Sequence, residues 1–233
     1  VTWWDKSRPF ADYLARCSYM LQQGQFVADV CYYYGDQNPN FFPSYHDAPD
    51  KPLIPGLSSA YDFDIVNSDV ILNRMRVENN RIILPDGMSY AVLVLPNQNH
   101  MPLAVLKKIR DMVNQGATVI GPKPQTTSGY LHHEKEKKQL RESADSLWDT
   151  GAIQSNFTAD EILRDKGIGP DFYYIPIGPD STLDYIHRRT EKLDFYFVRN
   201  KSLNDMLVDC TFRVSGKVPQ LWHPDTGLVT RDV

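Results

Sequence analysis

The feature that most constrains the fold is a strand–helix–strand pattern across residues 89–124. Residues 90–96 form a short run of aliphatic and β-branched side chains that ends at a proline, which is typical of a strand buried on both faces. After Pro102 the apolar residues return at helical spacing, and Gly116 stands where a helix ends. The apolar stripe consists of Leu103, Leu106, Ile109, Met112 and Val113. Residues 117–120 supply a second buried strand, so the pattern predicts a βαβ unit with parallel strands and a right-handed crossover.

Comparable patterns on both sides of this unit predict further helices and strands. Helices are predicted over residues 5–23, 134–148 and 158–166. The last of them opens with the capping box Thr158-Ala-Asp-Glu161. A strand is predicted over residues 26–34, and the pair Asn79-Asn80 between two short apolar runs predicts a hairpin. Three or four parallel strands with helices between them indicate an α/β domain of the flavodoxin-like kind over residues 25–178.

The character of the sequence changes near Ser181. Short alternating runs joined by turn residues follow, over residues 183–189, 193–198, 206–214 and 218–222. They predict a small antiparallel β region within residues 179–233, and four short strands make only a weak sandwich on their own. At the other end, Trp3 and Trp4 are two large apolar rings where an isolated domain rarely has them. We therefore expect an internal piece of a longer protein.

Composition and charge narrow the classes of partner. The 233 residues carry a net charge of −4 and 42% apolar residues, which is enough for a sizeable core. No basic cluster with interleaved aromatic residues is present, so we expect no nucleic-acid partner. No apolar run approaches the ~20 residues that a membrane span requires. The three cysteines leave the redox compartment open.

A search for catalytic motifs returns mainly negative results. The sequence has no Gly-x-Ser-x-Gly elbow, no P-loop and no Gly-x-Gly-x-x-Gly. A glutamine amidotransferase would need a nucleophilic cysteine in a strand-to-helix turn, and none of the candidate turns contains one. His132-His133-Glu134 reads as an exposed helix start rather than a metal site, because adjacent side chains do not converge on one ion. We therefore assign no catalytic residue, cofactor or metal.

Two acidic residues are candidates for substrate contacts. Asp62 and Asp64, in the segment Tyr61-Asp-Phe-Asp64, would lie on the same side of an extended chain. Paired carboxylates serve glycoside hydrolysis and also attract hard cations. The alternative is structural: Asp64 caps the following helix and Asp62 makes a loop hydrogen bond.

Two further candidates lie in loops. His46, beside Asp47 and Asp50 in a proline-rich loop, lines a sugar or ion site or simply belongs to a polar loop. Asp36 follows a predicted parallel strand, at the carboxyl edge where open α/β sheets bind ligands. The same edge also carries Asn97, Gln98, Asn99, His100 and Lys123. This rim is polar enough to bind a ligand but indicates no particular reaction.

The order and spacing of several motifs resemble glycoside hydrolase family 106, the large bacterial α-L-rhamnosidases. The motifs are Thr2-Trp-Trp, Val27-Ala-Asp-Val30, Tyr61-Asp-Phe-Asp64, Leu84-Pro-Asp-Gly-Met-Ser-Tyr90, Gly116-Ala-Thr-Val-Ile-Gly-Pro-Lys-Pro124, Phe212-Arg-Val-Ser-Gly-Lys217 and Leu221-Trp-x-Pro-x-Thr-Gly227. They extend over most of the chain.

The resemblance implies a domain map. Residues 1–24 would be the exit helix of a catalytic (β/α)₈ barrel, residues 25–178 a class I amidotransferase-like α/β domain without the nucleophile, and residues 179–233 the first strands of a β-sandwich. The acid and base carboxylates of the family belong to the barrel, outside this chain. The partners implied are the rest of the same polypeptide and, in further roles, a glycan or a homo-oligomer. Kinship with polysaccharide-degrading enzymes implies a secreted or periplasmic location.

Three functional hypotheses follow. The leading one is a non-catalytic accessory piece of a glycoside hydrolase that acts on rhamnose-containing glycans. The second is a stand-alone module that binds a carbohydrate or small molecule at the polar rim of the sheet. The third, an amidotransferase-like enzyme, is disfavoured because the nucleophile is missing.

Overall fold

The computed structural model describes residues 2–36, 54–128, 133–176 and 183–231, which form two compact units. One unit combines residues 1–26 with 172–233, and the other comprises residues 27–171. The helices are α1 (Arg8–Leu21, after a 3-10 turn at Trp4–Lys6), α2 (Ser68–Asn73), α3 (Leu103–Asn114), α4 (His133–Trp148) and α5 (Ala159–Asp165). The strands are β1 (Gln25–Phe26), β2 (Val30–Tyr33), β3 (Phe63–Val66), β4 (Arg76–Glu78), β5 (Arg81–Ile83), β6 (Ser89–Tyr90), β7 (Val92–Val94), β8 (Val119–Ile120), β9 (Phe172–Pro176), β10 (Leu183–Arg189), β11 (Asp194–Asn200), β12 (Val208–Phe212), β13 (Leu221–Trp222) and β14 (Val229–Thr230).

The central unit is built on a parallel sheet with the strand order β3-β2-β7-β8. Val30 on β2 is opposite both Phe63 on β3 and Val92 on β7, and Leu93 is opposite Val119 on β8. The predicted βαβ unit is therefore confirmed as β7, α3 and β8. The mixed α/β class, with a parallel sheet and separate antiparallel sheets, is confirmed as well.

Helices cover this sheet through the apolar residues that define their periodicity. Leu106 and Ile109 of α3 are fully buried, and α3 packs against α4. Along α4, apolar residues recur at helical spacing as Leu140, Ala144 and Leu147, and all three are buried. Ile162 and Leu163 of α5 pack with Val30 and Val92 of the sheet in one apolar cluster.

Local turn chemistry sets the ends of several elements. Gly116 ends α3 with φ +98°, and a Cβ there would lie 2.2 Å from Oδ1 of Asn80. Asn79 and Asn80 both have positive φ, 50° and 60°, as a type I′ hairpin between β4 and β5 requires. The Thr158 hydroxyl and the Glu161 side chain form the predicted capping box of α5.

The prediction of one strand over residues 26–34 is wrong. β1 pairs antiparallel with β10, as Gln25 opposite Arg189, whereas β2 belongs to the parallel sheet. The chain changes partner at Asp29, whose carbonyl accepts hydrogen bonds from the amides of Ala91 at 2.8 Å and Val92 at 3.3 Å. Asp29 is the only charged residue of this otherwise apolar segment, and a single polar residue does not indicate that the chain changes its pairing partner there. β9 pairs antiparallel with β12, so the structure places residues 172–176 in the antiparallel unit, whereas the sequence-based map includes them in the α/β domain of residues 25–178. The three domains of that map stay a prediction.

The other unit consists of small antiparallel sheets, as predicted for the last part of the chain. β10 pairs with β11 along its whole length, β9 pairs with β12, and β13 pairs with β14. An aromatic cluster lies among these strands and contains Phe172, Tyr174, Tyr185, Tyr196 and Phe212. The ring of His187 stacks on Tyr196 with centroids 4.0 Å apart.

A buried carboxylate beside this cluster joins several basic groups. Asp194 has a side chain only 6% exposed, and its Oδ1 lies 2.8 Å from Nε2 of His187 and 2.6 Å from Nε of Arg189. Its Oδ2 pairs with the Lys217 ammonium. Burial raises the pKa of Asp194, but the hydrogen bonds from Lys217, Arg189 and His187 outweigh it and lower the pKa to about 2.

We predict that this carboxylate gives the protein an acid-dependent stability. The folded pKa lies below the unfolded value of about 3.9, so the contribution is present above about pH 4 and is lost as the pH falls through about 2. Asp194→Asn should lower the free energy of unfolding at neutral pH by roughly 2 kcal/mol. Urea unfolding between pH 2 and pH 7 measures this, with the exposed Asp209→Asn as control. Equal pH profiles for the wild type and Asp194→Asn would contradict the prediction.

Candidate functional site

The loops after β2 and β7 meet at the carboxyl edge of the parallel sheet. Gly35 has φ +87°, and a Cβ at this position would lie 2.3 Å from Oε1 of Gln98. Next to it, Asp36 is exposed and accepts a hydrogen bond from the Ser128 hydroxyl at 3.1 Å. The fold thus brings Asp36, Gln98 and Ser128 to the edge where doubly wound sheets bind ligands.

Much of this polar rim is engaged by the protein itself. The Lys123 ammonium pairs with Asp145 at 2.8 Å and Asp149 at 2.7 Å, at the end of α4. His100 Nδ1 lies 3.4 Å from Oδ1 of Asn99. Oε1 of Gln98 is buried and has no hydrogen-bond partner among the described residues, but it lies directly beneath Gly35 rather than facing an open space. Binding of a ligand at Asp36 stays a prediction.

Asp62 and Asp64 have separate partners. Asp64 lies on β3 and accepts a hydrogen bond at 2.7 Å from the hydroxyl of Tyr90. Burial raises the pKa of Asp64, and the Tyr90 hydrogen bond partly offsets this effect. Asp62 precedes the strand and accepts a hydrogen bond at 2.9 Å from the amide of Phe63. The loop hydrogen bond considered for Asp62 is therefore present.

The alternative that Asp64 caps the next helix is wrong. α2 is capped by Asn67, whose Oδ1 accepts a hydrogen bond at 3.0 Å from the amide of Val70. Asp64 lies within the strand that precedes this cap, and its carboxylate contacts the Tyr90 hydroxyl instead. A role of Asp62 and Asp64 in substrate binding stays a prediction.

His46 lies outside the described residues, as do Asp47 and Asp50. Within the part of the chain that the structure describes, no group of three or more His, Cys, Asp or Glu side chains could hold a metal ion. No helix in that part is long and apolar enough to cross a membrane. Cys31 is buried in β2, and burial raises the pKa of its thiol, so it lacks the properties of a nucleophile.

A cleft that the sequence analysis did not identify lies between the loop before β3 and the C-terminal end of α5. Its volume is 490 Å³, and its lining is Ser58, Ala60, Tyr61, Asp160, Arg164, Gly167, Ile168, Gly169 and Pro170. The Tyr61 hydroxyl donates to the carbonyl of Ile168 at 2.9 Å, and the amide of Ser58 donates to Oδ1 of Asp160 at 3.0 Å. In the sequence, this cleft is marked only by the capping box of α5 and the glycines after this helix. Neither feature predicts that the segment from Ser58 to Tyr61 lines the other side of the cleft.

We predict that Tyr90→Phe raises the pKa of Asp64 further. The Tyr90 hydrogen bond favours the carboxylate, so its removal leaves burial as the dominant influence. An NMR titration of the Asp64 carboxyl carbon measures the change. Tyr33→Phe is the matched control, because the Tyr33 hydroxyl lies 2.8 Å from Oγ of Ser68 and is not bonded to Asp64. An unchanged Asp64 titration in Tyr90→Phe would contradict the assignment.

Comparisons with known proteins agree with this architecture. The model of glycoside hydrolase family 106, described as alpha-L-rhamnosidase, matches residues 1–232. A curated protein of Formosa agariphila that carries the provisional name beta-glucuronidase is 33% identical over 231 residues, which are 99% of this chain and 19% of that protein. The solved structure of a rhamnosidase from Novosphingobium sp. PP1Y is 26% identical, with a TM-score of 0.85 over 98% of this chain and 22% of that one. The chain thus spans about a fifth of the length of these relatives.

Proposed function

Since the chain belongs to the alpha-L-rhamnosidase family, glycoside hydrolase family 106, we propose that it is a non-catalytic accessory part of a larger glycoside hydrolase. Its role is to scaffold the catalytic barrel of an enzyme that acts on rhamnose-containing glycans. The rhamnosidase among the named relatives supports the rhamnoside substrate, whereas the beta-glucuronidase name supports only the wider class of glycoside hydrolases. By kinship with polysaccharide-degrading enzymes, the location would be secreted or periplasmic.

The observation that carries this proposal is the exposed apolar face of the N-terminal helix. α1 has a strongly apolar stripe, yet none of its residues is buried in the described structure. Trp4 is 71% exposed and Phe10 is 62% exposed, with Trp3 and Leu14 exposed beside them. Phe10 and Leu14 lie one helical turn apart on α1, and exposed apolar side chains on one side of a helix are typical of a contact with another protein surface. The partner that we propose is the catalytic domain of the same polypeptide.

The helix is nevertheless fixed in place within its own unit. Nη1 of Arg16 donates to the carbonyls of Pro224 and Asp225, each at 2.9 Å. At the end of α1, Nε of Arg188 donates to the carbonyl of Gln23 at 2.7 Å. These contacts hold one side of α1 on the antiparallel unit, so its apolar side can dock as a rigid surface.

The candidate carboxylates support an accessory role. Glycoside hydrolysis requires one carboxyl group to protonate the leaving group and a second to act as base or nucleophile across the sugar. Asp64 is bonded to Tyr90 and Asp62 to the chain next to it, so each has a local structural partner. The acid and base are therefore expected in the barrel, as the family resemblance implies.

The proposal also includes a flavodoxin-like fold for the α/β domain. Counted along the chain within the parallel sheet alone, the order β3-β2-β7-β8 is second, first, third and fourth strand, which is the order in which flavodoxin-like sheets begin. We propose that residues 25–178 are a flavodoxin-like, class I amidotransferase-like domain that has kept its scaffold without a nucleophile. The strand-to-helix turns of the sequence contain no cysteine, in keeping with the lack of a nucleophile in this assignment.

The experiment is hydrolysis of an aryl α-L-rhamnoside by the longer parent polypeptide and by the 233-residue chain. We expect release of the aryl alcohol by the parent alone, because the reacting carboxylates lie elsewhere. Asp62→Asn and Asp64→Asn in the parent should leave kcat within about twofold of the wild type, because the acid and base of the reaction are expected in the barrel. Hydrolysis by the 233-residue chain would contradict the accessory role. An inactive parent would contradict the rhamnoside assignment.

A further inference from the structure

We propose that the hairpin formed by β13 and β14 joins α1 in one docking surface for the catalytic domain of the same polypeptide. The inference rests on the accessory role proposed above and extends the docking surface from the helix to the hairpin. The name "helix–hairpin surface" is used below for the exposed apolar side chains of both elements. They are Trp3, Trp4, Phe10 and Leu14 at the helix, and Leu221, Trp222, Leu228 and Val229 at the hairpin.

The strands of the hairpin bury no residue within the part of the chain that the structure describes. β13 and β14 contain two residues each, and all four are exposed. Trp222 is opposite Val229, so these two side chains lie on the same face of the hairpin. Leu228, next to them in the chain, is 63% exposed. A two-stranded hairpin is marginally stable in water on its own, so the hairpin gains stability when these side chains pack against another surface.

Arg16 fixes the turn of the hairpin on α1. Its Nη1 donates to the carbonyls of Pro224 and Asp225, each at 2.9 Å. Gly227 in the same turn has φ +78°, and a Cβ at this position would lie 3.1 Å from Nε of Arg16. The turn and the guanidinium are thus in close contact, with a glycine where a side chain would crowd the arginine. The helix and the hairpin are therefore held together within their unit.

This joint brings the apolar side chains of the two elements near each other. Trp222 is two residues from Pro224 in the chain, and Leu14 is two residues from Arg16. Because a residue spans at most about 3.6 Å, the Cα of Trp222 lies within roughly 7 Å of that of Pro224, and the same limit holds between Leu14 and Arg16. A domain of even 100 residues has a radius of gyration of about 13 Å. One such domain can therefore contact the helix and the hairpin together.

α1 alone is small for an interface between domains. Its 14 residues extend over about 21 Å, so one face of a helix roughly 10 Å wide has a projected area of about 200 Å². Interfaces between domains of one chain bury about 600–1,500 Å² in total, which is roughly 300–750 Å² on each side. The hairpin is bonded to α1 and supplies further apolar area for such an interface.

The occupant that we assign to the helix–hairpin surface is the catalytic domain. The chain spans about a fifth of the length of its relatives, so most of such a polypeptide lies outside these 233 residues. The apolar face of α1 is already assigned to the catalytic domain by the proposed function. Because Arg16 holds the hairpin on this helix, the same domain is the partner that reaches both elements.

The test places the photo-crosslinking residue p-benzoylphenylalanine at single positions of the full-length parent. The probe at Trp222 reports on the hairpin and the probe at Phe10 reports on the helix. The probe at Lys138 is the control, because this side chain is 80% exposed on the charged helix α4. After irradiation, mass spectrometry identifies the linked peptides. We expect the Trp222 and Phe10 probes to link to the catalytic domain, and the Lys138 probe to give no such product.

Arg16→Met in the same proteins tests the joint. The hairpin is then no longer bonded to α1, so the yield of the Trp222 product should fall severalfold while the Phe10 product is retained. Arg8→Met is the matched control, because Arg8 lies on the same helix with a side chain that is 90% exposed and pairs with Asp12 of that helix. It should leave both products unchanged. Equal yields of the Trp222 product in Arg16→Met and Arg8→Met would overturn the joint surface.

The other outcomes identify other occupants. Trp222 products that lie outside the catalytic domain, or that join two copies of the parent, would overturn the inference, as would a Trp222 probe that links to nothing. Trp222 products in the catalytic domain without Phe10 products would overturn the single surface.

The Phe10 probe reports separately on the proposed function. If only the Phe10 probe links to the catalytic domain, the accessory role stands and the docking surface is limited to α1. If neither probe links to the catalytic domain, the docking of α1 in the proposed function is contradicted as well.

Discussion

The α/β unit depends on the pairing of β2 with two parallel neighbours. Val30 and Cys31 are fully buried because β3 and β7 flank them in the sheet while helices cover its faces. The pairing of β2 with β3 and β7 determines which polar side chains lie at the carboxyl edge of the sheet. It places Asp36 and the loop of Gln98 at one carboxyl edge, and the register of β3 brings Asp64 to the hydroxyl of Tyr90.

The antiparallel unit has two distinctive features, the buried carboxylate of Asp194 and the exposed apolar side chains of α1. Asp194, at the start of β11, binds His187 and Arg189 of the neighbouring strand β10 and Lys217 of a later loop. Such a centre fixes one arrangement of these strands, because removal of the carboxylate would leave buried donors without an acceptor. On the same unit, α1 is held by Arg16, yet its Phe10 and Leu14 are exposed and none of its residues is buried in the described structure. A rigid apolar face that the described structure does not bury is what an accessory domain needs for docking.

Local patterns in the sequence predicted the elements whose causes are local. The βαβ unit follows from the spacing of Leu106 and Ile109, and the hairpin follows from the freedom of Asn79 and Asn80 to adopt positive φ. The split of residues 26–34 between two sheets was not predicted, since neither their apolar residues nor the single Asp29 among them specifies a pairing partner. The bond from Tyr90 to Asp64 joins residues 26 positions apart and exists only through strand register. The cleft between the loop before β3 and α5 was missed for the same reason, because its bond from Tyr61 to Ile168 spans 107 positions.

The central claim is that the rest of a longer polypeptide covers the apolar face of α1. Amide hydrogen exchange, compared between the 233-residue chain and the full-length parent, tests this claim most directly. The account predicts slower exchange across Arg8–Leu21 in the parent and equal exchange across Leu103–Asn114, whose apolar side is already buried. Equal exchange of α1 in both proteins would contradict the claim that this helix docks on the catalytic domain.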